Sequence, residues 1–559
     1  MILSKKTPSQ EELNILFKYY SSKKFVDLEK NALSFTKKFP DHPLGWKALG
    51  IALKNNGKIS DSLEASKRVI ELSPEDVEAY NNLGNTLREL GKLEVSKKYL
   101  EHAIKLDPNF APAHNNLGNT LKKLNIFDEC IKSYNRATQL NPKYFEAYNN
   151  LGIIFREIGR LEESENSFKK VIELNPKYAE VYYNLGITLR ELGRLGEAKD
   201  KYEKAILLKP NYPQAYNNLG TVLRDLRMLD NSENSYKKAI KLNPEYADAY
   251  NNLSFTLLLK NDFKRAYDFS EWRWKSEQNF GKKFITTKPF WNGESNKKIL
   301  NWKEQGIGDQ IMCCSMLSEL NTISNKLIVH CDKRLIPLLK RSLSKDIIYE
   351  SEKKNILEKD YDAHIPMASV SKYLRKNLKS FASTSSGYLK ADEKKTAKIR
   401  NNLKSNNKVK LIGISWNTKS QIPMSAFRNI LLSDLASSLH GTNTKLVNLQ
   451  YDDNSNEIKD LRNKLGIELL KVPEIDNKND IDGLASLISA CDLVVSIDNL
   501  TVHLAGSLGV NTKILLPYTM DSRWGIKGKE SYLYSSVKLY RQTKLGNWEK
   551  VLKQLRNDL

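Results

Sequence analysis

Tyr80-Asn81-Asn82-Leu83-Gly84 decides the first half of this chain, because it comes back. It returns as His114-Asn115-Asn116-Leu117-Gly118, Tyr148-Asn149-Asn150-Leu151-Gly152 and Tyr182-Tyr183-Asn184-Leu185-Gly186, then as Tyr216-Asn217-Asn218-Leu219-Gly220 and Tyr250-Asn251-Asn252-Leu253-Ser254. Trp46-Lys47-Ala48-Leu49-Gly50 begins the series, and every step is 34 residues. Pro40, Pro74, Pro108, Pro142, Pro176, Pro210 and Pro244 keep the same step. Leu83, Gly84 and Leu87 share one face of a first helix, and Leu100 and Ala103 lie on the inner face of a second. Gly91 stops the first helix, Pro108 follows the end of the second, and Gly84 lets the two approach closely. No single helix pair can bury its apolar face, so neighbouring pairs stack.

A helix-turn-helix unit with this period is that of the tetratricopeptide repeat. The array is expected over residues 7–280 as about eight repeats, the first of them a cap. Residues 12–45 keep the second-helix signals Ala32, Phe35 and Pro40 but have a poor first helix. At the far end the pattern is lost after Ala266 and runs into Glu271-Trp272-Arg273-Trp274. Asn82, Asn116, Asn150, Asn184, Asn218 and Asn252 hold one position in successive repeats and are expected to form a row on the concave face. An amide both donates and accepts, so such a row could hold an extended peptide of any sequence. Equally, the row could tie neighbouring helices together, and both readings are open. The protein O-GlcNAc transferases, which carry the same repeats, look similar here.

At 559 residues the chain exceeds one ordinary core, and 40% hydrophobic with 28% charged residues is a globular composition. There is no apolar run long enough to cross a bilayer, and Met1-Ile-Leu-Ser-Lys-Lys lacks the pattern of a signal peptide. Cys130, Cys313, Cys314, Cys331 and Cys491 are odd in number and show no metal-ligand spacing. A reduced, cytoplasmic protein without a metal is expected. The net charge of +23 favours acidic partners, although the lysines are dispersed as solvated helix charge rather than gathered in a stripe. No nucleic-acid motif is present.

Past residues 281–297, which read as a connector containing Pro289-Phe290-Trp291-Asn292-Gly293-Glu294, apolar runs alternate with helical patterns. Strands are expected at Lys298 to Trp302, Lys326 to His330 and Ala363 to Pro366. A second set is expected at Val409 to Trp416, Lys445 to Leu449, Asp492 to Ile497 and Lys513 to Pro517. Alternating strands and helices imply parallel sheets with covered faces. The fold class is therefore α plus α/β, with two Rossmann-like halves at 298–395 and 408–559 and a cleft between them. Ligands in such folds sit at the carboxyl ends of the strands.

Four segments fall at those ends. In Glu304-Gln305-Gly306-Ile307-Gly308-Asp309, Gly306 and Gly308 permit close backbone approach before a helix from Gln310. The alternative is a tight turn with Asp309 as N-cap. In Ser415-Trp416-Asn417-Thr418-Lys419, a hydroxyl and a lysine suit a diphosphate, or form a polar loop. In Asn448-Leu449-Gln450, Gln450 could read a base edge or be a surface amide. In Asp498-Asn499-Leu500-Thr501-Val502-His503, an acid, a hydroxyl and a histidine share one strand-end turn. A lone histidine is more often structural, but this company favours function.

In this order the four segments resemble the heptosyltransferase-like glycosyltransferases that occur fused to tetratricopeptide repeats in bacteria. The resemblance extends to Tyr267-Asp268-Phe269-Ser270-Glu271-Trp272-Arg273-Trp274 and to Gly413-Ile414-Ser415-Trp416, Asn448-Leu449-Gln450-Tyr451 and His503-Leu504-Ala505-Gly506. It also takes in Arg523-Trp524-Gly525, Leu539-Tyr540-Arg541-Gln542 and Gly546-Asn547-Trp548. It implies a GT-B fold and metal-independent, inverting transfer of a sugar from a nucleotide donor. By that likeness Asp309 is the general base and Lys419 neutralises the departing diphosphate. Gly306, Gly308, Ser415, Gln450, Asp498, Asn499, Thr501 and His503 surround the donor. Two departures stand out: Asn499 and Leu500 replace small residues, and Thr418 to Phe427 lacks a glycine. The expected partners are a nucleotide sugar and a protein or peptide acceptor held by the array, with no cofactor. Transfer to a lipopolysaccharide or other glycan acceptor, with peripheral association at the inner membrane, is a variant. A non-catalytic scaffold with a degenerate transferase domain is the rival.

Overall fold

The computed structural model describes residues 7–276, 283–404, 408–418, 425–451, 454–519 and 521–559. They fall into two compact units, one ending at Leu189 and the other running from Arg190 to Leu559. The division lies inside the repeat array.

The first unit holds the helix pairs Gln10–Ser21 with Phe25–Lys38, Pro43–Asn55 with Ile59–Leu72 and Val77–Glu89 with Leu93–Leu106. Ala111–Lys123 with Phe127–Leu140 and Phe145–Glu157 with Leu161–Leu174 follow, and Ala179–Glu191 spans the division. The second unit continues with Leu195–Leu208, Pro213–Asp225, Leu229–Leu242, Ala247–Leu259 and Phe263–Ser270. In the opening pair Gln10–Ser21 buries only Leu16 and leaves Phe17 and Tyr20 about half exposed.

Each first helix ends in a left-handed residue. At Gly91 (φ 75°) the Lys92 N–H reaches back to the Leu87 carbonyl at 2.9 Å, closing the last turn. Gly152 is where two helices press together: a Cβ there would lie 2.5 Å from the Phe168 ring. Successive pairs join in two alternating ways. Ser96 Oγ donates to the Gly84 carbonyl at 2.7 Å and lies 3.0 Å from Thr120 Oγ1. The arrangement recurs two repeats on at Ser164, Gly152 and Thr188, and again at Ser232, Gly220 and Thr256. The intervening steps put Cys130 with Ile154, and Ala198 with Val222, at the same two positions. A buried hydroxyl must find a partner, so the pair is polar together or apolar together.

The remainder of the second unit is two parallel sheets. Strands β1 (Lys298–Trp302), β2 (Lys326–His330), β3 (Ile348–Glu350) and β4 (Ala363–Pro366) lie in the order β3-β2-β1-β4. Strands β5 (Lys410–Ser415), β6 (Thr444–Asn448), β7 (Leu469–Leu470), β8 (Leu493–Ile497), β9 (Thr512–Leu516) and β10 (Val537–Arg541) lie in the order β10-β9-β8-β5-β6-β7. All pairings are parallel, from Ile299 opposite Leu327 to Ser415 opposite Ser496. The strand order reverses between β1 and β4 and between β5 and β8, and crevices open at such points. The short strands β3 and β7 and the edge strand β10 go beyond the sequence expectation. So does the connector, whose Trp291 N–H donates to the His364 carbonyl at 2.9 Å.

The end of the array is bolted to the first sheet. Arg273 forks onto Glu304, Nε to Oε2 at 2.9 Å and Nη2 to Oε1 at 3.1 Å, and also donates to Ser369 Oγ and the Ser270 carbonyl. Ala368 N–H gives Glu304 a further bond at 3.0 Å. The two motifs quoted at Glu271-Trp272-Arg273-Trp274 and Glu304-Gln305-Gly306 are thus the two halves of one buried ion pair.

Candidate functional site

Helix α1 (Ile307–Cys314) begins directly beyond β1, three residues before the expected Gln310, and its N-cap is Gly306. Asp309 is therefore not an N-cap: it sits in the first helical turn, where a carboxylate is favoured by the helix dipole. Gly308 earns its place by contact, since a Cβ there would lie 3.4 Å from the His503 ring and 3.7 Å from Leu500 Cα. That contact brings α1 against α2 (Leu500–Ser507), the helix that follows β8.

Between the two helices lies Arg523. Its Nη1 donates to Asp309 Oδ1 at 2.9 Å and stands 3.2 Å from His503 Nε2, while Nε pairs with Asp521 at 2.9 Å. Asp498, at the end of β8, is 4.0 Å from His503 Nε2 and takes Arg428 Nη2 on its carboxylate at 2.9 Å. Asp309, Asp498 and His503, far apart in sequence, are thus brought together. Arg523, Arg428, Asp521 and Tyr534 complete the cluster and were not expected from sequence. Arg523 carried a signal, since it opens the quoted Arg523-Trp524-Gly525, but Arg428 and Asp521 carried none.

The electrostatics follow from burial. Burial, then the Arg523 charge, pushes His503 down to about 3, so its ring is neutral. With Nε2 accepting from Arg523, the proton belongs on Nδ1, which faces Tyr534 Oη at 3.1 Å. The Trp524 ring stacks on the imidazole at 5.5 Å. Burial and neighbouring Asp521 raise Asp498 above the usual carboxylate range. Burial pushes Asp521 the same way, but Arg523 outweighs it and holds that carboxyl at about 2. Arg523 itself stays firmly charged, its burial overcome by Asp521, Asp309 and Asp498.

Other expected donor residues face inward. Ser415 is fully buried and its Oγ donates to Gln450 Oε1 at 3.0 Å; Trp416 N–H and Asn417 N–H donate to the same oxygen. Gln450 Nε2 donates to the Asn417 carbonyl at 3.0 Å, so this amide shapes the loop after β5 and is not turned to a base edge. Asn499 caps α2, accepting from Thr501 N–H at 3.0 Å, and its Nδ2 donates to Ser415 Oγ at 2.7 Å. Thr501 is fully buried and does not face the cleft; its hydroxyl turns to the Leu449 carbonyl at 3.5 Å. These residues shape the crevice between β5 and β8 from behind, because a polar strand end in a parallel sheet must satisfy its own backbone first. Lys419 lies outside the described residues.

The asparagine row is half-buried and spends its donors between repeats. Asn116 Nδ2 donates to Asn81 Oδ1 at 2.8 Å, Asn150 to Asn115 at 3.0 Å and Asn184 to Asn149 at 3.3 Å. In the second unit Asn252 donates to Asn217 at 3.0 Å, and Asn218 accepts from Asn217 at 3.3 Å. The tying role weighed above is therefore present in the fold. In the first unit Asn82 lines a groove of about 420 Å³ with Asn81, Lys47, Lys54, Tyr20 and Phe110. In the second, a groove of about 1050 Å³ lies between Phe427 to Leu431 and the segment Lys544 to Arg556, away from Asp309.

Among the described residues no helix is long and apolar enough to cross a membrane. Models of the tetratricopeptide repeat match residues 77–110, 111–144, 133–166, 213–246 and 235–268, and a TPR repeat model matches 154–193 and 188–226. Residues 77–268 therefore carry tetratricopeptide repeats. Protein FlbA of Caulobacter vibrioides is 28% identical over 280 residues, 46% of this chain and 46% of FlbA, so the match spans less than half of that relative. Among solved structures, MamA is 27% identical with a TM-score of 0.28 over 29% of this chain and 94% of its own. YrrB, described as a TPR protein with an unusual peptide-binding site, is 22% identical with a TM-score of 0.30 over 34% and 96%. The Cut9-Hcn1 complex of APC/C gives 18%, 0.38, 50% and 55%.

Proposed function

We propose that residues 298–559 transfer a sugar from a nucleotide donor to an acceptor presented by the tetratricopeptide array, a protein or peptide in the first instance. The observation that carries this reading is the meeting of Asp309, beyond the first sheet, with His503, beyond the second, on the single guanidinium of Arg523, with Asp498 standing 4.0 Å from His503. Two parallel sheets that turn their strand ends towards one crevice suit a donor on one side and an acceptor on the other. The resemblance to heptosyltransferase-like enzymes supplies the GT-B reading and the inverting, metal-independent course.

In this scheme Asp309 takes the proton of the acceptor hydroxyl as its oxygen bonds to the anomeric carbon. The bond from that carbon to the donor phosphate breaks, and the nucleoside diphosphate leaves with the electron pair. Asp309 Oδ1 is occupied by Arg523 at 2.9 Å, so the scheme needs Arg523 to shift towards the leaving phosphate when donor is bound. His503 and Tyr534 orient Arg523 and are positioning residues. Arg428 and Arg523 supply the positive charge expected of Lys419.

The test is nucleoside diphosphate release by the full chain from a panel of nucleotide sugars, with Asp309→Asn as the variant. The expected result is release from one donor class, falling roughly 10²- to 10⁴-fold in the variant while donor binding persists. Equal release by Asp309→Asn removes the base assignment. No release and no nucleotide binding would favour the scaffold reading.

A further inference from the structure

Two stretches quoted from the sequence, Arg523-Trp524-Gly525 and Leu539-Tyr540-Arg541-Gln542, meet in the fold, and the cluster around Asp309 uses only the first. Arg541 is the last residue of β10, and its guanidinium turns to backbone. Nη2 donates to the Trp524 carbonyl at 2.6 Å and to the Gly525 carbonyl at 3.4 Å, while Nη1 donates to the Gly528 carbonyl. Trp524 and Gly525 are the two residues that follow Arg523. Burial lowers Arg541 to about 10, which leaves it charged at neutral pH and makes these bonds charge-assisted. A rigid planar fork suits this task, since one side chain must meet several carbonyls in fixed directions.

The carbonyls converge because of glycine. Gly525 has φ 60° and ψ 176°, and Gly528 has φ 82°, backbone that a side chain disfavours. Ahead of Arg523 the turn is fixed by Asp521, whose Oδ1 accepts the Arg523 N–H at 3.1 Å. Trp524 is buried and stacked on His503, and the array helix Ala247–Leu259 packs against Ser522–Trp524. Residues 525–536 belong to no helix or strand of the sheet, so Arg541 ties the far side of the turn directly to β10. With its backbone held on both sides, Arg523 can swing its side chain while its Cα stays in place. The scheme above needs such a swing, from Asp309 towards the leaving phosphate.

We propose that Arg541 is a positioning residue: by gripping the carbonyls of Trp524, Gly525 and Gly528 it fixes the backbone from which Arg523 reaches Asp309 and His503. The catalytic consequence rests on the transferase reading; the placement of Arg523 does not. Misplacing a charge-bearing group by about 1 Å costs on the order of 10²-fold in rate, so a loosened turn should slow transfer. The loss should fall mainly on kcat, since the charge that Arg523 meets grows as the phosphate leaves.

Two measurements on the full chain test it, with Arg541→Met, Arg541→Lys and Gly525→Ala as variants. In the last the added Cβ meets nothing within 4 Å, so it disturbs the turn only through the backbone. The first measurement is the nitrogen NMR resonance of His503 Nε2 in histidine-labelled protein at neutral pH, assigned by its loss in His503→Gln. Wild type should show an acceptor nitrogen bonded by Arg523, which stands 3.2 Å away. Arg541→Met and Gly525→Ala should move the resonance towards that of a free acceptor, with Arg541→Lys between. The second is nucleoside diphosphate release, at a temperature where every variant is folded. There kcat should fall roughly tenfold to 10²-fold in Arg541→Met and recover in part in Arg541→Lys. A His503 resonance unchanged in both Arg541→Met and Gly525→Ala, or an unchanged kcat beside a shifted resonance, overturns the proposal. Absence of release by the wild type would remove the transferase reading instead, and the His503 resonance alone would then decide whether Arg541 places Arg523.

Discussion

Removing Glu304 should cost this protein more than removing any carboxylate on its surface. The side chains of Arg273 and Glu304 are 5% and 1% exposed, so the Glu304→Ala variant leaves a guanidinium that water cannot reach with Glu271, 2.8 Å from Nη1, as its remaining carboxylate. Breaking a buried pair from one side costs about 3–5 kcal/mol, and the second carboxylate puts the loss at the low end of that range. Ala368 N–H also loses its acceptor, worth about 1–3 kcal/mol where nothing replaces it, and the two losses overlap rather than add. Chemical denaturation followed by tryptophan fluorescence is the assay, because the Arg273 guanidinium stands 4.6 Å from the Trp274 ring, which is itself 5.5 Å from Trp302. The first transition to disturb these rings should move by that amount, read as the midpoint change multiplied by its slope. The Arg273→Met, Glu304→Leu double variant should recover part of the loss, since no charge is then left buried. Glu163→Ala, which removes an exposed partner of Arg160, should leave the midpoint where it was. A loss below about 1 kcal/mol for Glu304→Ala, the range of a solvated surface pair, would refute the reasoning.

Gly152→Ala should destabilise the first unit by about 1–3 kcal/mol from overpacking against Phe168, less about 1 kcal/mol regained in helix propensity. Gly196→Ala, where an added Cβ meets nothing within 4 Å, should be neutral or stabilising, as thermal melts of the two would reveal. His503 has a folded pKa of about 3 against the ordinary 6.5, so the unfolded chain takes up its proton first as pH falls. The neutral ring's contribution is complete above pH 6.5 and is lost as pH falls from there towards 3, by about 2 kcal/mol at pH 5. Asp498, held high, acts in the opposite direction at lower pH, so denaturation of wild type and His503→Gln should be compared between pH 5 and 7.5. An equal slope in both would contradict a buried neutral imidazole. Asn149→Ala, which removes the acceptor of Asn184 Nδ2, should cost about 1 kcal/mol.

The repeat register was legible in the sequence because a tetratricopeptide unit is local. Gly152 and Phe168, or Ser96 and Gly84, lie within one unit, so a fixed step in sequence is a fixed step in space. The parallel strands were legible for a related reason: buried on both faces, β8 reads as an apolar run from Leu493 to Ile497 broken only at Ser496. Strands β3 and β7 are two or three residues long and carry no such pattern. What the sequence could not give is which polar groups at the strand ends look outward. Ser415, Gln450, Asn499 and Thr501 have the composition of a ligand site, yet three chain segments spend them on one another. Asp309 and Arg523 are 214 residues apart, and nothing local in either segment specifies their meeting. Arg227 is a further instance: as a letter it is one more cation on a basic chain, and only the fold sets its guanidinium 4.6 Å from the Tyr518 ring. Periodicity and burial are short-range and survive in the sequence, whereas the pairing of charges is decided by which strand ends the tertiary fold brings together.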